Sequence, residues 1–357
     1  MIVKDEETVI ERALRSALPF ITTYMIVDTG STDRTKEIIA QVMADVSGQI
    51  VDRPWVSFGQ NRSEALALCD GQMEWALMLD ADDTLEGTVP PPEVYSQSHL
   101  DAFMIRIIHG AIIHQRTQIF RTGIGWGYEG VVHEYATCRS KTQAVIGSLP
   151  PETYMVTRCE GARSKDPNKY IKDALLLETA LLKEPTNHRT IFYLAQSYRD
   201  AGQPDVARRY YQRYLDLSGG WIQERYIAHV QLIAMVPEQE KLQLTWSAIE
   251  LCPDRLEAPC AYLRWRRGAG LPATHQSYAI AAAVTNRKPV QTYLFATPAI
   301  YEWGMDDELA IVAFATGHFR EAYDAAMRCV LGTGDRAMQE NALRNAKAAQ
   351  ERMVSRT

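Results

Sequence analysis

Two short apolar runs that end on aspartate constrain this chain more than any other feature. The β-branched run 23–27 closes on Asp28, and the run 75–79 closes on Asp80. Between them, 33–44 has helical spacing with Ile38, Ile39 and Val42 on one face, and 61–68 is a second helix candidate. Strand, helix and strand in alternation predict an α/β domain with a mainly parallel, doubly wound sheet. Such sheets bind ligands beyond the carboxyl ends of their strands, where both aspartates fall. Val89-Pro90-Pro91-Pro92 breaks the pattern. After it, 102–108 and 112–120 read as antiparallel strands around His109-Gly110, and 131–135 as a further short strand, so the sheet acquires a mixed portion.

From about residue 166 helical periodicity takes over. Ile191, Leu194, Ala195, Tyr198, Ala207 and Tyr211 fit the spacing of a 34-residue helix-turn-helix repeat, with Gly202-Gln203-Pro204 in the turn. Leu309, Ala310, Ala313, Ala322 and Ala326 repeat the pattern around Gly317, and 246–263 is a weaker third match. An all-α domain of tetratricopeptide-like repeats is therefore expected over 161–357, after an α/β domain over 1–160. Of the 357 residues 46% are hydrophobic and 23% charged, which supplies a packed core and excludes a disordered chain. The formal net charge of -6 argues against nucleic-acid binding by bulk charge. Cys69, Cys138, Cys159, Cys252, Cys260 and Cys329 form no CxxC pair, which fits free thiols in a reducing compartment. Met1-Ile2-Val3 runs at once into Lys4-Asp5-Glu6-Glu7, unlike a secretory signal, and no run of about 18 apolar residues occurs. A cytoplasmic protein without a membrane span is the expectation.

Three segments carry chemistry. In 27–35, Gly30 permits a tight turn, Ser31, Thr32 and Asp33 suit a helix cap, and Asp28 is placed to accept hydrogen bonds from a base edge or a sugar hydroxyl. In Asp80-Ala81-Asp82-Asp83 the acids follow an apolar strand directly. Magnesium or manganese takes one or two such carboxylates together with substrate phosphates. In 125–134, glycines and aromatics precede a His133-Glu134 pair; Glu129 or Glu134 is a candidate general base, and His133 a metal ligand or an orienting group. Each has a plain structural alternative: a capped turn, a solvated acidic turn and a structural histidine.

Taken in this order, Ile2 to Glu7, Val27 to Thr35, Asn61-Arg62 and Asp80 to Asp83 resemble nucleotide-sugar glycosyltransferases of family 2, with the GT-A fold. Arg121, Trp126 and Val132-His133-Glu134 resemble a subset that includes bacterial core-oligosaccharide glucosyltransferases. Gly161 to Pro167, Phe192 to Asp200 and Gly219-Gly220-Trp221 look like members with fused tetratricopeptide repeats. The resemblance implies roles. Val3 and Glu7 would line the nucleoside pocket, Asp28 would hold uracil, and Asn61-Arg62 would approach the base or the diphosphate. Asp80 would contact ribose or sugar, and Asp82, with Asp80 and His133 beside it, would hold Mn2+ or Mg2+. Glu134 is the first candidate for catalytic base, with Glu129 and Asp83 behind it. The reaction would be a single displacement with inversion from a UDP-sugar.

Two departures stand out. The first strand is short. In addition, Val156-Thr157-Arg158-Cys159-Glu160-Gly161 lacks the late histidine that many GT-A enzymes place on the metal; Glu160 or His133 would replace it, or Arg158 or Arg163 would neutralise phosphate. The helical half is expected to present a concave surface to a peptide, protein or other macromolecular acceptor, or to form a homodimer. A modified DNA base is a further acceptor candidate, through stacking on the 208–214 stretch of arginines and tyrosines, as is a saccharide. The competing readings are a binding scaffold with an inactive transferase domain and a nucleotidyltransferase; the latter would want a glycine- and lysine-rich nucleotide loop that is missing here.

Overall fold

The computed structural model describes residues 1–95, 99–110, 112–141, 143–284 and 294–355. It divides into two compact units, Met1–Ala201 and Gly202–Thr357. In the first unit β1 (Ile2–Val3), α1 (Ile10–Ala17), β2 (Thr23–Asp28), α2 (Thr35–Val42), β3 (Ser47–Asp52) and α3 (Phe58–Ala67) alternate as the sequence pattern requires. A three-stranded parallel sheet has the order β1-β2-β3, with Val3 opposite Asp28 and Asp28 opposite Asp52. Ile10, Ala13, Leu14 and Ala17 recur at helical spacing and turn one face of α1 inward. That face packs with Val3, Ile26, Ile39, Met43 and Ala81 in one cluster. Ala81, between Asp80 and Asp82, is thereby anchored in the same core as Val3 of β1.

The parallel portion is shorter than expected. β4 (Trp75–Leu77) pairs antiparallel with a later strand and not with the first sheet. β5 (Thr84–Gly87) and α4 (Pro92–Tyr95) follow, and then the hairpin of β6 (Ala102–His109) and β7 (Ile112–Arg121). A second hairpin joins β8 (Trp126–Glu129) and β9 (Tyr135–Cys138), and β10 (Ile146–Ser148) and β11 (Thr153–Val156) complete the strands. The larger sheet runs β4-β7-β6-β11-β5, with β10 also parallel to β6. This is the mixed portion the sequence announced. The 131–135 strand does not form: residues 131–133 bend, and His133 sits at φ +53° in the left-handed region. Two helices, α5 (Lys169–Lys183) and α6 (His188–Asp200), close this unit and pack on each other.

The second unit is all helix: α7 (Pro204–Asp216), α8 (Ile222–Met235), α9 (Glu238–Leu251), α10 (Glu257–Gly268), α11 (His275–Ala283), α12 (Met305–Ala315), α13 (Phe319–Gly332) and α14 (Arg336–Val354). Each contacts the next in sequence. Leu309, Ala310, Ala313, Ala322 and Ala326 are all buried between α12 and α13, and Gly317 makes the turn at φ +84°. Tyr211 and Tyr214 are fully buried, so these two rings are core and not a stacking platform for a base. All six cysteines are free thiols. Among the described residues no helix is long and apolar enough to cross a membrane.

Candidate active site

The acids that the sequence placed at strand ends lie on the turns that follow β2 and β4. Asp28 ends β2, is 1% exposed, and accepts from the Gly30 and Ser31 amides through Oδ1, both at 2.9 Å. Its Oδ2 is buried without a partner. An orphan carboxylate oxygen is costly unless something donates to it. The segment after β1 is laced to the same turn. Asp5 Oδ1 accepts from the Thr32 amide at 2.7 Å, Thr35 Oγ1 accepts from the Glu6 amide at 2.8 Å, and Glu7 Oε2 accepts from the Arg34 amide at 3.1 Å. Glu7 therefore braces the edge of this turn from an exposed position. Val3 is buried in the core, and its carbonyl accepts from Thr29.

Helix α3 starts on a Ser57 cap, whose oxygen accepts from the Gln60 amide at 3.2 Å. Asn61 is fully buried and turned to its own loop: Oδ1 accepts from the Val56 amide and Nδ2 donates to the Pro54 carbonyl, each at 3.0 Å. Arg62 points the other way. One guanidinium nitrogen donates to Glu134 and the other to Asp80, while Nε is buried unpartnered. The rings of Phe58 and Tyr128 flank it at 5.9 and 5.8 Å. Burial opposes the Arg62 charge, but Asp80 and Glu134 more than offset that and raise its pKa. Burial likewise pushes Asp80 upward, and Arg62 and Arg116 reverse the shift, so its pKa falls below the ordinary range. Arg116 Nη2 lies 3.6 Å from Asp80 Oδ2.

Asp82 and Glu6 meet at a backbone turn. Asp82 Oδ2 accepts from the Gly161 amide and Glu6 Oε2 from the Ala162 amide, both at 3.0 Å. Burial, with Asp82 nearby, pushes Glu6 up to about 7. Burial and then Asp80 push Asp83 to about 7 as well, and its Oδ1 is buried without a partner. Carboxyls raised by burial and neighbouring acids, as Glu6 and Asp83 are, are relieved by a cation, and an all-oxygen set suits magnesium or manganese. Among the described residues no group of three or more His, Cys, Asp or Glu is gathered at metal-holding distance. The residues thus fit a cation held by one or two carboxylates, Asp82 first, with phosphate and water completing its shell.

The remaining candidates go elsewhere. His133 stacks on Tyr193 at 4.2 Å, and Arg189 donates twice to the His133 carbonyl. Although the residue keeps solvent exposure, packing around the ring and the charges of Arg163, Arg189 and Lys169 lower its pKa. Three cations around a histidine oppose a bound metal. Glu129 holds Tyr135 Oη at 2.9 Å and Thr137 Oγ1 at 3.1 Å across its own hairpin, whereas Glu134 lies against Arg62. Glu160 pairs with Arg12, Arg158 with Glu86, and Arg163 with Asp173. The structure therefore brings Arg62, Asp80 and Glu134 together and leaves Glu129 and His133 outside that group. Sequence reading missed Arg116 and Glu6 as members of the site. Arg116 stands within the polar run His114-Gln115-Arg116-Thr117-Gln118 of β7, so no local signal set it apart from its neighbours.

The first unit is thus mixed α/β with acids on the turns after its strands, and a helical unit follows it. Residues 1–94 match the family model for glycosyl transferase family 2. Over 125 residues the chain is 29% identical to an uncharacterized glycosyltransferase of Rickettsia bellii, covering 34% of this chain and 40% of that protein. Over 86 residues it is 35% identical to a TPR repeat-containing protein of Synechococcus elongatus, covering 24% of this chain and 20% of that one. The chain spans less than half the length of these curated relatives. Solved structures with some likeness include S. aureus TarS 1-349 in complex with UDP-GlcNAc, at 16% identity and TM-score 0.35 over 83% of this chain and 95% of that one. Another is MamA, at 15% identity and TM-score 0.30 over 53% and 91%. Likenesses this distant carry no argument about ligand or mechanism.

Proposed function

We propose that the chain is an inverting glycosyltransferase that moves a sugar from a UDP-sugar to a hydroxyl, or a thiol, of a macromolecular acceptor. The observation that carries this reading is the Glu134–Arg62–Asp80 group, next to Ala81, which shares one core cluster with Val3 beside Asp28. In this reading Asp28 Oδ2 accepts from the uracil ring. Asp80 takes hydroxyls of ribose or sugar, and Glu134 receives the acceptor proton as the new bond forms at the anomeric carbon and the bond to UDP breaks. Arg62 orients both acids through its two ion pairs. Asp82 would hold a divalent cation, which would supply charge neutralisation to the diphosphate leaving group. The match of residues 1–94 to family 2 supports the donor class. We assign the reaction to residues 1–160 and acceptor handling to 161–357, with α5 and α6 packed into the first compact unit.

A thermal-shift screen of UDP-, GDP- and TDP-sugars, with and without manganese, tests the reading. A manganese-dependent rise with a UDP-sugar is expected. No shift with any nucleotide would leave a binding scaffold as the better account.

A further inference from the structure

The cavity beside the 129–135 segment, of about 890 Å3, is not used by the donor reading. Its walls come from α3, the β8–β9 hairpin, α5 and α6, all within the first unit. We propose that it binds a neutral saccharide portion of the acceptor; the proposal rests on the transferase reading above and names the acceptor's chemistry.

The first argument is charge. Glu64, Glu129 and Glu184 line the cavity together with Arg139, Lys183 and Arg189. Three acids against three bases leave the lining without the net charge that draws a nucleic-acid backbone or a strongly charged peptide. Interleaved donors and acceptors are instead what a polyhydroxylated ring satisfies, since each hydroxyl both gives and takes a hydrogen bond. A volume of this size lies in the range of built small-molecule sites.

The second argument is a held aromatic platform. Tyr135 is 42% exposed, yet its hydroxyl is fixed by Glu129 and the Arg189 guanidinium lies 4.9 Å from its ring. Arg189 also lies 4.7 Å from the Tyr193 ring, on which His133 stacks. Tyr135, Arg189, Tyr193 and His133 thus form one ladder. A ring held this way loses little freedom when the apolar C–H face of a sugar covers it.

The third argument is position. His133 lines the cavity and holds a left-handed backbone conformation, and the next residue is the candidate base. A non-glycine residue kept in that region points to a constraint worth its strain. Here the constraint sets a cavity wall and the base on consecutive residues.

The test uses the full chain on an array of neutral glycans, with and without UDP. A serine/threonine peptide and oligo-dT are the comparators, and UDP affinity is measured separately. We expect a neutral glycan to bind, Tyr135→Ala to weaken it about tenfold, and Tyr135→Phe, which keeps the ring but frees it from Glu129, to weaken it by less, with UDP affinity unchanged in both. Unaltered glycan binding in Tyr135→Ala overturns the proposal. So does wild-type protein that binds UDP but only the peptide or oligo-dT. Loss of UDP binding in the wild type would strike the donor reading instead, since glycan binding is read without UDP as well.

Discussion

At Arg62 two carboxylates share one guanidinium that is only 11% exposed, so removing any member leaves its partners in a poorly solvated place. Arg62→Met is expected to cost about 3 kcal/mol of stability, read by urea unfolding, because Glu134 and Asp80 lose their counter-charge. Glu134→Gln keeps the shape and removes the base; donor binding should survive while transfer falls roughly 100-fold or more. Wild-type turnover in that variant would remove Glu134 from the mechanism. Asp82→Ala should abolish the manganese dependence of UDP binding with the melting temperature nearly unchanged, since the side chain gives up one hydrogen bond, from the Gly161 amide. At this scale the sequence was legible where chemistry clusters locally, as in Asp80-Ala81-Asp82-Asp83. It was not legible where a side chain's direction decides: Asn61 and Arg62 are neighbours on α3, yet one serves its own loop and the other the site.

Between elements, α3 and the loop after β8 approach very closely. A Cβ on Gly59 would lie 2.6 Å from the Gly130 carbonyl oxygen, and the Tyr128 amide donates to Ser63 Oγ at 2.8 Å. Gly59→Ala should push the 128–134 segment off α3, costing about 1–3 kcal/mol and lowering turnover more than UDP affinity. Equal loss of both would mean that the spacing does not set the base. On β7, burial, with Arg116 and His109 beside it, holds His114 down to about 4. Its ordinary value in the unfolded chain is near 6.5. The stability tied to its neutral form is therefore complete above that value and drains away as pH falls toward 4. His114→Gln should flatten the melting-temperature profile across that window. Local pattern read β6 and β7 nearly to the residue, because two isoleucine-rich runs on either side of His109-Gly110 are a strong hairpin signal. It failed at 131–135, where the apolar pair mimics a strand but Gly130 and the bound His133 carbonyl force a bend.

Across the whole molecule, the composition break near 166 marks a change of architecture, while the compact first unit runs on to Ala201. The reason lies in long-range contacts that no local pattern announces: Arg189 on the His133 carbonyl and Tyr193 on its ring. A fragment of residues 1–201 should bind a UDP-sugar like the full chain, whereas one of residues 1–160 strips α5 and α6 from the 129–135 segment and should lose transfer. The shared guanidinium also sets a timetable. Arg62 is divided between Asp80 and Glu134, and the candidate base is engaged. A donor that draws Asp80 toward its own hydroxyls changes that division before any acceptor can profit from it. The kinetics should follow a compulsory order, donor first and UDP last, with UDP competing against the donor alone.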